Sequence, residues 1–251
     1  MTQDPSPQEQ TVDYSDIINI VHDLQAPLSG VKWTLSMLQN GDAGMLTPSQ
    51  KELVEKAIHG NEHTLRLVRS ILAVSRLDAG NAELNKVETP ILDVVNDTID
   101  ELSLYAREKG LRIQLKGLDG EGPLVYIDAD KIRNVFENLV ENAIKYTPPK
   151  GTIAVSVRTN DDECIISVED SGAGISKDDA PYIFKKFFRS NDHAKKTERG
   201  SGLGLYISKR LVEAHNGRIW FADKKRDLGL QESGTVFAFM LPLNHRENML
   251  E

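Results

Sequence analysis

His22, in the run HDLQAPL (His22–Leu28), is the first side chain placed to do chemistry. On a helix it shares one side with Gln25, Ala26 and Ser29, away from a Leu/Val seam. Its imidazole is therefore expected in solvent. Pro27 falls inside the same helix, where it removes one backbone bond and frees the carbonyl of Asp23. A mid-helix proline costs about 3 kcal/mol, so a local distortion is tolerated one turn after the histidine. A solvated histidine beside an incidental kink is the bland reading of these residues. The second station lies in Asp130–Tyr146, where Asn138, Glu141, Asn142 and Lys145 recur at steps of three and four on one helical face. Amide oxygens, a carboxylate and an ammonium suit a hydrated magnesium ion bearing phosphates; a solvated polar face is the plainer alternative. Two glycine stations follow. DSGAGI (Asp170–Ile175) comes after a strand and lets backbone approach a ligand beside the Asp170 carboxylate. GSGLGL (Gly200–Leu205) opens a helix, whose free N–H groups favour phosphate, although no Gly-Lys-Ser/Thr of a Walker A loop is present. Between them, Lys185, Lys186, Arg189, Lys195, Lys196 and Arg199 put cations beside where phosphates would sit. Singly, tight turns and solvated charge account for each of these features.

The elements that must position these residues fall into two textures. Residues 1–11 are polar and read as a disordered tail. From Val12 to Asn40, Ile17, Val21, Leu24, Leu28, Val31, Leu35 and Leu38 alternate steps of four and three, the seam of a bundled helix. Gly41–Leu46 is a loop, and Thr47-Pro48-Ser49-Gln50 starts a second helix with Thr47 as N-cap and Gln50 closing a capping box. Val54, Ile58, Leu65, Val68 and Leu72 carry that helix to about Asp78, and Gly80 ends it. Two long antiparallel helices bury too little alone, so residues 12–80 are expected to dimerise into a four-helix bundle. Residues 81–245 are mixed α/β. The runs LRIQLKG, PLVYID, TIAVSVRT, CIISVED, RIWFAD and GTVFAFMLP alternate with helical stretches near 90–109, 130–146 and 203–216. Thr152–Arg158 and Cys164–Asp170 look like a hairpin through Asn160-Asp161-Asp162. A long polar, basic loop spans 177–200, and residues 246–251 form a second tail.

Composition excludes several classes. The chain has 251 residues, 30 basic against 38 acidic side chains and a net charge of -8, which argues against a nucleic-acid protein relying on general positive charge. Cys164 is the single cysteine, so no disulfide framework or Cys-rich zinc module forms, and its expected role is a small strand hydrophobe. The start MTQDPSPQEQ lacks the features of a signal peptide, and the longest apolar run, VFAFML, is far too short to span a membrane. A soluble, cytoplasmic chain is the expectation.

The stations taken in order resemble the sensor histidine kinase core of two-component systems, over about residues 13–243. The matches are an H box (His22–Leu28), an N box (Asn138–Tyr146), a first glycine box (Asp170–Ile175), an F box (Phe184–Arg189) and a second glycine box (Gly200–Leu205), with a final Gly234-Thr235. The resemblance implies a helical hairpin that dimerises into a four-helix bundle, followed by an α/β sandwich ATP-binding domain of the gyrase/histidine kinase superfamily. It further implies that His22 attacks the γ-phosphate of ATP and passes the phosphoryl group to an aspartate on a response regulator receiver domain. Asp23 would orient and deprotonate the imidazole, a role that spacing alone does not suggest. Asn142 would bind Mg2+, with Asn138 close by, Lys145 would contact phosphate, and Tyr146 would pack on the nucleotide. Asp170 would accept from the adenine amino group. Gly172, Gly174, Gly200, Gly202 and Gly204, with Leu203 and Thr235, would shape the pocket and lid hinges, and Arg189 would reach the γ-phosphate.

Two other readings compete. One is an ATP hydrolase of the gyrase-like superfamily, whose water-activating glutamate stands one turn before the metal-binding asparagine. Here that position is Asn138, an amide that cannot act as a general base. The other is a non-catalytic pseudokinase that docks a regulator. One departure stands out: many relatives carry Thr or Asn four residues after the histidine to hold water for dephosphorylating the regulator. This chain has Ala26, which has no hydrogen-bonding side-chain atom. Trp33 and its exposed neighbours are the expected regulator docking surface.

Overall fold

A computed structural model describes residues 14–78, 83–117, 122–190, 201–225, 227–230 and 233–243. The chain divides into two compact units, Met1–Ala82 and Glu83–Glu251. Both tails, Gly80, the cations Lys195, Lys196 and Arg199, and Gly200 lie outside the described residues.

The first unit is two helices, α1 (Tyr14–Asn40) and α2 (Pro48–Asp78). α1 runs through Pro27 as one helix. The structure describes the helix at His22 but not that residue's side chain. The capping box at α2 forms as its spacing requires: Thr47 N donates to Gln50 Oε1 at 2.8 Å, and Gln50 N donates back to Thr47 Oγ1 at 3.4 Å. The helices pack through Val21, Leu65, Val68 and Leu77, all buried. Asn61 Nδ2 donates to the Leu28 carbonyl at 2.9 Å, and Lys32 pairs with Glu62 at 2.9 Å. Leu24 and Val31, on the same periodic seam, remain 46% and 48% exposed, so the hairpin does not cover its own apolar stripe.

The second unit contains β1 (Val87–Pro90), α3 (Ile91–Glu108), β2 (Arg112–Lys116), β3 (Leu124–Ile127), α4 (Ala129–Tyr146), β4 (Thr152–Thr159), β5 (Glu163–Asp170), α5 (Gly204–Ala214), β6 (Arg218–Asp223) and β7 (Thr235–Pro242). β2, β4, β5, β7 and β6 form one sheet in that order, parallel only at the β2–β4 pair. The β4–β5 hairpin is as expected, with Asn160 Oδ1 accepting from the N–H groups of Asp162 and Glu163. Alternation decides the core face: Ile153, Val155 and Val157 of β4 and Cys164, Ile166 and Val168 of β5 are buried beneath the helices. Burial pushes the Cys164 thiol up to about 12, an inert strand hydrophobe as expected. α4 answers the sheet with Val135, Phe136, Leu139, Val140 and Ala143, the stripe its periodicity predicts.

One feature departs from the sequence reading. β1 was not expected, because VETP carries neither strand periodicity nor a run of β-formers; it exists through antiparallel pairing with β3 in a separate two-stranded sheet. Within the loop expected over 177–200, residues 177–187 run as a succession of turns, anchored by buried Ile183. Phe184 packs there with Phe221 and Phe237, ring centroids 6.1–6.5 Å apart.

Candidate functional site

α4 begins where Asp128 caps it, its carboxylate accepting from Lys131 N at 3.1 Å, and it ends at Tyr146 with a basic residue in its last turn. Between these ends the apolar stripe turns toward the core. Asn138, Asn142 and Lys145 are consequently half-buried on another face, and Glu141 is exposed. Asn138 Nδ2 donates to Ser208 Oγ at 2.9 Å, and Gly204, the first residue of α5, lies against the same amide. This contact joins the Asn-rich helix to the second glycine station. Lys145 Nζ stands 5.1 Å over the ring of Tyr146, itself 43% exposed.

Asp170 ends β5 and is 5% exposed. Its Oδ1 accepts from Gly172 N at 2.8 Å and from Thr235 N at 3.2 Å. Oδ2 has no hydrogen-bond partner among the described residues. Burial pushes the carboxyl above its ordinary value, while those two N–H groups and the Lys224 ammonium pull it back. The result is a buried acceptor with one oxygen fixed by backbone and the other uncommitted. Gly172 lies against the Tyr146 carbonyl and Gly174 against the Asp223 carboxylate, so the first glycine turn wedges between α4 and β6.

Gly202 has φ +68°, and a Cβ there would stand 2.7 Å from the backbone of Phe187, so the second glycine station needs its glycine. Leu203 is 1% exposed and anchors the turn. Three of the expected cations lie within the described residues. Lys185 stands 4.5 Å over Tyr182 and Lys186 5.0 Å over Tyr206, each held on an aromatic face; Arg189 is exposed. In the first unit Asp23 and Ala26 are exposed and Gln25 is half-buried.

Sequence reasoning did not single out Asp223 or Lys224 at the end of β6, nor His215, which is 3% exposed. Asp223 had the same signal as Asp170, a carboxylate closing a β-run; the other two had none. Among the described residues no three His, Cys, Asp or Glu side chains gather to hold a metal. Asn142 offers one amide oxygen, a donor compatible with an ion that keeps most of its waters and binds phosphate oxygens.

Comparison with known proteins follows the same division. Residues 17–80 match the family described as "His Kinase A (phospho-acceptor) domain". Residues 127–245 match "Histidine kinase-, DNA gyrase B-, and HSP90-like ATPase". Among curated relatives, the chain is 30% identical to the sensor histidine kinase WalK of Bacillus subtilis, covering 92% of this chain and 37% of that protein. It is also 30% identical to the adaptive-response sensory kinase SasA of Synechococcus elongatus, covering 94% of this chain and 62% of the relative. The sensor protein KdpD of Clostridium acetobutylicum is 31% identical over 89% of this chain, which spans 24% of KdpD. The chain thus spans a quarter to under two thirds of these relatives. Among solved structures, full-length ShkA in complex with AMPPNP superposes with a TM-score of 0.75 at 26% identity, covering 93% of this chain and 47% of ShkA. The catalytic domain of histidine kinase ThkA gives a TM-score of 0.54 at 26% identity, over 63% of this chain and 98% of that domain.

Proposed function

The chain belongs to the sensor histidine kinases, and on that premise we propose that it phosphorylates His22 from ATP and passes the phosphoryl group to an aspartate of a response regulator. The observation that carries this reading is the Asp170 site: a buried carboxylate with Oδ1 held by two backbone N–H groups and Oδ2 open to a donor. An adenine amino group is such a donor. Tyr146 supplies an exposed ring beside the same turn, and the amides around Gly202 and Gly204 lie where phosphates bind a helix N-terminus. Magnesium, held by Asn142 with phosphate and water oxygens, would neutralise phosphate charge.

In the transfer, the unprotonated imidazole nitrogen of His22 forms a bond to the γ-phosphorus as the bond to the bridging oxygen of ADP breaks. Asp23, the adjacent carboxylate, takes the ring proton. The phosphohistidine then gives its phosphoryl group to a receiver aspartate. Pairing of two hairpins would cover the exposed Leu24 and Val31, which supports a homodimer.

Hydrolysis by activated water finds no support: Asn138 stands where a general base would be needed, and its amide is bonded to Ser208. The test is incubation with radiolabelled ATP and magnesium. Label should enter the wild-type chain, survive base and be lost in acid, as a phosphoramidate is. His22→Gln should bind ATP but take up no stable label. Undiminished labelling of that variant, or an acid-stable product, overturns the assignment.

A further inference from the structure

Two charged side chains that take no part in the transfer described above sit behind the Asp170 pocket. Lys224 follows β6 and is 3% exposed, and its Nζ lies 2.7 Å from Glu169 Oε1 on β5. β5 and β6 are not neighbours, since β7 runs between them, with Glu169, Val236 and Ala222 in one cross-strand row. Lys224 and Gly234 continue that pairing two residues further, Lys224 N donating to Gly234 O at 2.9 Å. The lysine stem therefore crosses β7 at Gly234. A Cβ on Gly234 would stand 2.9 Å from Lys224 Cδ and would collide with the Asp170 carbonyl, and the φ of +146° also suits glycine. The crossing ends beside the acceptor: Glu169 precedes Asp170 in the chain, and Thr235, next after Gly234, gives its N–H to Asp170 Oδ1.

We propose that Lys224, clamped to Glu169 across Gly234, is a positioning residue that holds the Asp170 carboxylate as an acceptor and so sets a preference for adenine over guanine nucleotides. The inference rests on the nucleotide reading of this pocket. Adenine presents an amino donor where guanine presents a carbonyl acceptor. A carboxylate accepts from the first and repels the second, whereas a protonated carboxyl can donate to the guanine oxygen. The charges around Asp170 favour this role for Lys224. Burial pushes the carboxyl up, the Gly172 and Thr235 N–H groups and the Lys224 ammonium lower it, and Glu169 raises it again. The titratable groups nearby are Glu169 on its own strand and, from the end of β6, Lys224 and Asp223, the latter paired across Thr235. α4 brings the backbone carbonyl of Tyr146 to the turn. Without Lys224, the charge of Glu169 stands uncompensated beside Asp170 and favours its protonated form.

The experiment titrates the full chain with ADP and with GDP in magnesium buffer between about pH 5 and pH 8. In Lys224→Met, ADP affinity should begin to fail at higher pH than in wild type. The ADP-over-GDP ratio should shrink by up to about tenfold at the acid end of this range, where the carboxyl titrates, the effect of one unit of carboxyl pKa. Lys224→Arg, which keeps the charge, and the double variant Lys224→Met/Glu169→Gln, which removes both charges, should recover most of the preference. Glu169→Gln alone should move the acid failure to lower pH, and it carries the test if Lys224→Met does not fold. A wild-type ratio and pH profile in Lys224→Met, or no shift in Glu169→Gln, overturns the proposal. Asp170→Asn separates the two readings. If it binds ADP like wild type, the nucleotide reading of the pocket fails. If it loses ADP while the lysine and glutamate variants behave as wild type, only the clamp fails.

Discussion

His215 offers a stability switch whose sign and size follow from its surroundings. It caps α5, 3% exposed, with Nδ1 2.8 Å from the Leu211 carbonyl and Nε2 accepting from Asp128 N at 3.1 Å. A backbone N–H can only donate, so Nε2 is unprotonated and the proton sits on Nδ1. Asp128 in turn caps α4 and accepts from Asn85 N at 3.0 Å, and Lys86 Nζ donates to the Ala214 carbonyl at 3.1 Å. The ring thus ties the end of α5 to the start of α4. Burial first, and the Lys86 ammonium behind it, hold the imidazole below its ordinary 6.5, against the Leu211 carbonyl and the Asp128 carboxylate. The unfolded chain takes up this proton near pH 6.5, whereas the folded chain resists it to lower pH. Stability from this residue is therefore whole above that value and is lost as pH falls through the folded value, with a slope of at most about 1.4 kcal/mol per pH unit. Asp170, with its carboxyl raised, contributes the opposite sign in the acid range and is untouched by changes at His215. His215→Ala leaves the Asp128 N–H without its partner and opens a cavity, at about 2–4 kcal/mol in total. His215→Gln offers an oxygen to that N–H and should cost about 1–2 kcal/mol while abolishing the pH slope. The assay is urea unfolding read from Trp220 in a Trp33→Phe background, since one tryptophan lies in each unit. A flat wild-type profile below pH 6.5, or an unchanged slope in His215→Gln, would refute the reasoning.

Other outcomes follow from single side chains. Asn142→Ala should lower magnesium-dependent ADP binding and autophosphorylation together, leaving weak metal-free binding; calorimetry with and without EDTA checks this. Thr47→Ala removes the reciprocal bonds with Gln50 and should cost about 1 kcal/mol, read from melting of the Trp33 signal in a Trp220→Phe background. Ala26 presents an exposed methyl four residues beyond His22, so dephosphorylation of a phosphorylated regulator should be slow. Ala26→Thr should speed phosphate release at a helix cost of up to about 0.7 kcal/mol, and rapid release by wild type, unaffected by Gln25→Ala, would contradict it.

Much of this molecule was legible because its signals are local. The stripe Val135–Phe136–Leu139–Val140–Ala143 needs only the 3.6-residue period to be read, and a buried face in the structure follows from it. The Thr47–Gln50 box closes within one turn, and the Asn160 turn within the hairpin it joins, so three or four residues suffice for each. What the chain alone could not disclose is held by contacts between distant elements. VETP becomes a strand only when β3 arrives to pair with it. The rings of Tyr182 and Tyr206 under Lys185 and Lys186 are likewise brought there by the fold. The Lys224–Glu169 crossing depends on β7 lying between β5 and β6, and the His215–Asp128 bond spans 87 positions. Periodicity encodes which face a residue presents. It carries no record of which strand will lie beside which, and a buried charge or imidazole is settled only by the neighbour that this order brings to it.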